Sequence, residues 1–593
     1  MLILRWATLA SLVTLACSSS TMRPIGPPPP AQSAAPPAAT PAAASAAWNA
    51  LAQSFLDGYL QRSPTSATSA GEHRYDAAWP DISPQGEASL RTFLTDTRAR
   101  LAQIPRADLE LQQQIDAEIL DDELNYWLFS LDELKRYETD PISYTDLIGE
   151  GLDPLVNRNF GTSASRLESL LGRLDGIPTL VAIAKQRLSR PAQANTETAI
   201  QQNLGLLGLV ERELANRFPD GKAALAASAQ RAATALHDLQ TFLEKELLPR
   251  SDASFRLGRE RFTKKLGFVL QEDVDIDALA QSAHELLART QLEMVGTAQQ
   301  IWSDEKLGAL PALTSTAEQK AFVKRVLDHV ASQRSSNQSI VADAQHWLTN
   351  ATTFVRERDL VRVPEDPVRV IEMPEYRRGL AVAYCDSSGP LERTPETFYA
   401  ISPTPSDWSK QRTLSFYREY NQSMLADLTV HEAMPGHYLQ LMHNNAFASK
   451  LRAVFSSGTF IEGWAVYSEW LLAEKGFGGP RVKLQRQKMA LRLATNAILD
   501  HGVHAGHMEE KEALALMTGE AFQEEGEAVG KWKRVRITSA QLTTYFFGFT
   551  ALLALRQTEA GKPDFNERRY HDRLLSWGSP APKFLRRLMA TPP

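Results

Sequence analysis

The chain has 593 residues, 43% hydrophobic and 23% charged, which is ordinary for a globular protein and enough for one very large domain or two or three smaller ones. Its 64 basic and 70 acidic residues are spread along the chain for a net charge of -6, and no basic block marks a nucleic-acid partner. Cys17 and Cys385 are the only cysteines, so a disulfide framework and a cysteine-rich zinc site are excluded, and any metal must be held by His and carboxylate.

The first 17 residues read as a signal peptide: a short basic start, Met1 to Arg5, then an apolar run from Ala7 to Ala16, too short for a permanent membrane helix. Leu15-Ala16-Cys17-Ser18 resembles a bacterial lipobox, although Thr14 stands where Leu is usual. The expectation is an exported protein on the periplasmic side, anchored through lipid on Cys17; Ser18 after the Cys favours the outer membrane by similarity to known sorting rules. Residues 18–46 are Ser, Pro and Ala with almost no large apolar side chains, the composition of a disordered tether.

From residue 47 to 593 a single large domain with helical periodicity is expected. Leu51, Phe55 and Tyr59 are four apart; Leu109, Leu111, Ile115, Ile119 and Leu120 continue the pattern. The stretches 196–217, 222–247, 276–302 and 316–355 read as helices in the same way. Residues 360–402 depart from it, with extended runs at Val361-Arg362-Val363-Pro364, Val368-Arg369-Val370-Ile371 and Phe398-Tyr399-Ala400-Ile401. The fold class is therefore mainly α, with a small β-sheet just ahead of the chemical motif.

That motif runs from Asp427 to Gln440 and follows a helical stretch around Tyr417 to Val430. His431-Glu432 begins it as in H-E-x-x-H, where two His share a helix face and the Glu beside the metal is the general base. Here the second His is His437, six residues on, which an ideal helix turns through about 240°, to the wrong face. Pro435 removes a helix hydrogen bond and Gly436 permits unusual backbone angles, so the pair is expected to bulge the helix and swing His437 back toward the metal.

A third, acidic ligand would complete a His₂Glu site. Phe460 to Trp470 holds Glu462 and Glu469, seven apart on one face of an apolar helix. Glu462 is the expected metal ligand, and Glu469 the carboxylate that orients a ligand His from behind. Further on, Asp500 and His504 are four apart, the spacing of a carboxylate orienting an imidazole. Arg534 and Arg536 precede Gln541 and Tyr545. His504 or Tyr545 is a candidate to hydrogen-bond the developing oxyanion, and Arg534 or Arg536 to hold a substrate carboxylate.

With these residues laid out, the sequence resembles the bacterial family called domain of unknown function 885. The resemblance covers nearly the whole mature chain: Gly71-Glu72-His73-Arg74-Tyr75-Asp76 early on, Phe255-Arg256-Leu257-Gly258 in the middle, His431 to Gln440, Glu462-Gly463-Trp464-Ala465, Asp500 to His504, and Gln541 with Tyr545 and Gly548. Ser539-Ala540 and Val535 depart from the family's closing pattern. The resemblance implies a large helical, zincin-like fold of the gluzincin oligopeptidase and carboxypeptidase type. Two helical halves would enclose a deep cleft, with the motif helix at its floor and the active-site half at about 357–593. The function expected is hydrolysis of short peptides by one zinc ion and a Glu432 base. The alternatives are an amidase on cell-wall or other non-ribosomal amides, and a noncatalytic metal-binding surface lipoprotein.

Overall fold

The computed structural model describes residues 40–365, 368–373, 382–393 and 395–591. The signal segment, Cys17 and the tether up to residue 39 lie outside the described residues. The first helix, Pro41–Arg62, takes in the last residues expected of the tether. Thr40 caps it by accepting from the Ala43 amide, Pro41 occupies the first helical position, and the alanines that follow favour helix. Trp48, Leu51 and Phe55 then bury its inner face.

The protein is mainly helical, with one three-stranded sheet. Among the described residues no helix is long and apolar enough to cross a membrane. The helix expected over 316–355 is two, Thr316–Val330 and Ile340–Glu357, because the polar run from Ser332 to Ser339 has no apolar face to bury. The stretch ahead of the motif is likewise two helices, Lys410–Glu419 and Gln422–Glu432. Asn421 divides them by accepting from the Ser423 and Met424 amides as the N-cap of the second.

The sheet consists of β1 (Arg369–Glu372), β2 (Ala383–Ser387) and β3 (Thr397–Ile401), in the order β1-β3-β2, with β1 parallel and β2 antiparallel to β3. Two of the expected runs form β1 and β3. Val361-Arg362-Val363-Pro364 forms no strand; its Arg362 amide instead donates to Asp572 on a C-terminal helix, 2.7 Å away. β2, Ala-Tyr-Cys-Asp-Ser, carries no alternating apolar pattern and was not anticipated. Tyr399, Ala400 and Ile401 of β3 are fully buried, and the Tyr399 hydroxyl lies 3.2 Å from Thr429 Oγ1 on the helix that carries His431.

One apolar core surrounds that helix, and its members run from Ala283 to Met589, so it draws on helices well before residue 357. The N-terminal helices form separate cores, one of which is completed by Leu451, Phe455, Phe584 and Leu588 from the C-terminal half. Buried polar groups join the halves. Arg452, fully buried, donates to Asp116 at 2.6 Å and to the carbonyls of Gln112 and Trp577. His73 of the early motif bridges Asp76 and Glu392, 3.0 Å to each.

Candidate metal centre

The helix Gln422–Glu432 stops immediately after the first His–Glu pair, and a new helix, His437–Asn445, starts at the second His. The expected bulge is thus a full break. Pro435 has no amide to donate and follows a cis Met434–Pro435 peptide, while the Gly436 amide returns to the Val430 carbonyl at 3.0 Å. A side chain on Gly436 would collide with the carbonyl oxygens of His431 and Val430. Close approach therefore requires glycine here, at φ -71° and ψ -130°. Trp464 donates its indole N–H to the Pro435 carbonyl at 2.8 Å and pins the break to the neighbouring helix.

That neighbour, Gly458–Glu474, carries Glu462. Glu462 Oε2 lies 3.7 Å from His431 Nε2 and 3.6 Å from His437 Nε2. Ligand atoms about 2.1 Å from one tetrahedral ion stand roughly 3.4 Å from each other, close to both distances from Glu462, and all three ligand atoms lie within 4.8 Å of one another. Glu462 Oε2 is buried and has no hydrogen-bond partner among the described residues, an orphan that a cation would satisfy. Among the described residues this triad is the group of three that could hold a metal.

The surroundings set the orientation and charge of each candidate ligand. His431 donates from Nδ1 to Glu469 at 2.6 Å, and Glu469 also faces Arg486 at 3.5 Å. Burial works against protonating His431, but Glu462 and Glu469 outweigh it and raise its pKa well above the usual range. Burial, then the charge of His431, holds His437 down at about 4, in the neutral form a ligand needs. For Glu462, burial is outweighed by His431 and His437, and its pKa is lowered. Glu432 is 8% exposed, and in the metal-free protein burial pushes its carboxyl up to about 7. Asp427 and Arg486, which sequence spacing did not single out, complete the charge balance behind Glu469.

A glycine pair brings the next element in. A Cβ on Gly463 would lie 2.5 Å from the Gly548 carbonyl carbon, and one on Gly548 would collide with the Thr459 carbonyl oxygen. The helix Gln541–Ala560 therefore packs backbone to backbone against the Glu462 helix. This brings Tyr545, one turn before Gly548, close to Glu462, whose charge adds to burial in raising the Tyr545 pKa. Arg534 donates to Gln541 Oε1 at 2.7 Å and to the Tyr545 hydroxyl at 3.4 Å. We expect Gly548→Ala to cost about 1–3 kcal/mol in denaturant unfolding, as overpacking does. Unchanged stability would mean that the two helices are not held this closely.

Three expected site residues lie elsewhere. His504 places Nε2 2.8 Å from both the Val535 and Thr538 carbonyls, tying down the end of the helix Glu525–Ile537, so it is committed to structure rather than to an oxyanion. Asp500 does not hold His504 in place; it accepts from the Ala540 and Thr543 amides and the Thr543 hydroxyl, capping the start of the Tyr545 helix. Arg536, two residues from Arg534 and so on another face, lies over Trp532 and lines a cavity of about 1380 Å³ with Tyr126, Asp140, Glu150, Lys265 and His504. None of His431, Glu432, His437 and Glu462 lines that cavity.

Comparison with known proteins agrees on family and fold. The family described as bacterial protein of unknown function (DUF885) matches residues 64–589, and the chain belongs to it. A solved structure of a candidate lipoprotein of unknown function from Shewanella oneidensis is 29% identical, with a TM-score of 0.76 over 92% of this chain and 100% of that one. A candidate lipoprotein from Colwellia psychrerythraea, 18% identical, has the same fold, with a TM-score of 0.75 over 91% of this chain and 98% of that one. No curated protein matches the chain at a significant level.

Proposed function

We propose that this member of the DUF885 family is a zinc-dependent hydrolase of short peptides, built on a helical zincin-like scaffold. The observation that carries the reading is the convergence of His431, His437 and Glu462 on one point, with the buried carboxyl of Glu432 beside it. Two imidazoles and one carboxylate would hold zinc with room left for water or substrate, the ligand set of catalytic rather than structural zinc sites. When bound, zinc supplies a Lewis acid that polarises a carbonyl and makes water acidic near neutral pH.

The chain's own groups supply the rest. Glu432, a buried carboxyl directly after the ligand His431, would take a proton from the attacking water and pass it to the leaving amine. Glu469 fixes the His431 ring by holding its Nδ1 proton, which leaves Nε2 free to bind metal. The Tyr545 hydroxyl, which accepts from Arg534 at 3.4 Å and lies near Glu462, would donate to the oxyanion. A binding site without chemistry has no use for a base next to its ligands, which favours an enzyme over a metal-storing surface protein. The candidate lipoproteins among its structural neighbours, together with Cys17 after an apolar run, support export and a lipid anchor.

The test is digestion of a mixed peptide library by the purified, zinc-loaded protein, read by mass spectrometry. Cleavage is expected, with loss on adding a chelator and return on adding zinc. Absence of any cleaved peptide would overturn the hydrolase reading.

A further inference from the structure

Lys531 and Arg534 are one turn apart on the helix Glu525–Ile537 and face the same side. Lys531 is only 5% exposed, yet its ammonium has no hydrogen-bond or ion-pair partner among the described residues. The carboxylates near it are committed to others. Glu527 takes Arg492 and the Tyr420 hydroxyl, and Glu419 takes Lys488 and the Glu524 amide. Among the described residues the Arg534 guanidinium donates to the neutral oxygens of Gln541 and Tyr545. Both basic groups are thus held largely out of water with no ion-pair partner among the described residues, and burial, with the charges of Arg492 and Arg534, presses the Lys531 pKa well down. Burying charge without a counterion is costly, and such an arrangement persists where a ligand brings the counterion.

Their position says which ligand. The Tyr545 hydroxyl accepts from Arg534 at 3.4 Å, and the backbone contact of Gly463 with Gly548 sets the Tyr545 helix against the helix of Glu462, so the pair stands beside the metal triad. A chain residue spans at most about 3.6 Å, so an anion fixed there belongs to a group within a few residues of the bond to be cut. We propose that Lys531 and Arg534 form the subsite for the terminal carboxylate of the peptide, and that the protein works from the C-terminal end as a carboxypeptidase-type enzyme. The guanidinium offers a fork that matches a carboxylate, and the ammonium adds charge from one turn away. The proposal rests on the peptidase reading above and adds the end at which the substrate is held.

The experiment measures binding, so it does not depend on turnover. Zinc-loaded Glu432→Gln protein is titrated calorimetrically with one alanine-rich hexapeptide as the free acid and as the C-terminal amide. The acid is expected to bind at least about tenfold more tightly, the scale of a charge-assisted hydrogen bond. Arg534→Gln in the same background should bring the two affinities within about threefold, and Lys531→Met should reduce the preference in part. Equal binding of acid and amide overturns the proposal. So does an amidated peptide with a glutamate side chain that binds as well as the free acid, since the site would then read a side chain. Failure of the wild-type protein to cleave any peptide would sink the hydrolase reading alone, because the acid preference is read without cleavage.

Discussion

Glu432→Gln is expected to keep its full complement of zinc and to lose about 10²- to 10⁴-fold in peptide turnover, the usual contribution of a positioned proton carrier. The expectation follows from where Glu432 is and what it does not touch. The ligand atoms that approach one another belong to His431, His437 and Glu462, and Glu432 is not among them. It follows His431 directly at the end of the first helix, buried beside the backbone of Cys385 on β2. Glutamine fills the same volume and keeps a carbonyl oxygen, so packing and ligand geometry survive while the proton acceptor is lost. Metal content by mass spectrometry and turnover of a quenched fluorescent peptide separate the two effects. Retention of more than about a tenth of wild-type turnover would remove Glu432 from the chemistry. Loss of zinc would instead make it a ligand.

The sequence made this group visible because metal chemistry restricts residue types so strongly. A His–Glu pair, a second His and a downstream apolar segment holding two Glu can be recognised without knowing the fold. How the chain solves the six-residue spacing was only half legible. Pro435 and Gly436 signal an interruption, but the clash that makes Gly436 obligatory involves the carbonyls of Val430 and His431, which depends on the path of the break. Asp500 and His504 show a related limit. Their four-residue spacing on one helix suggested a pair, whereas each spends its hydrogen bonds on backbone groups 31 to 43 residues further on. A buried polar side chain satisfies whatever backbone end is packed nearby, and local periodicity carries no record of that partner. The same holds for Tyr545 and Arg534. They stand beside the metal triad because Gly463 and Gly548 let two helices touch, and a contact between residues 85 positions apart is a property of packing.

Glu462 and Glu469 share a helix face, so the face alone cannot say which binds the metal, but the two nitrogens of His431 can. Nε2 points toward Glu462 Oε2 at 3.7 Å, and Nδ1 toward Glu469 Oε1 at 2.6 Å. The nitrogens lie on different edges of one rigid ring, so an ion shared with Nε2 is out of reach of Glu469. The offset of seven residues, about 10 Å along the helix, agrees. Glu462 also lies 3.6 Å from His437 Nε2 and has a buried oxygen without a partner, whereas Glu469 already has His431 and Arg486. Removing Glu469 therefore loosens a ring, and removing Glu462 deletes a bond to the ion. Glu469→Ala should weaken zinc binding by about 10- to 100-fold, as loss of a ligand-orienting carboxylate does. Glu462→Ala should weaken it further, leaving protein that purifies largely without zinc. Competition with a chromophoric chelator gives both affinities on one scale, and thermal melting of each metal-free variant shows whether the chain still folds. If Glu469→Ala proved the weaker binder of the two while remaining folded, the ligand would have to be Glu469 and the geometry of the centre would need to be redrawn around the other edge of His431.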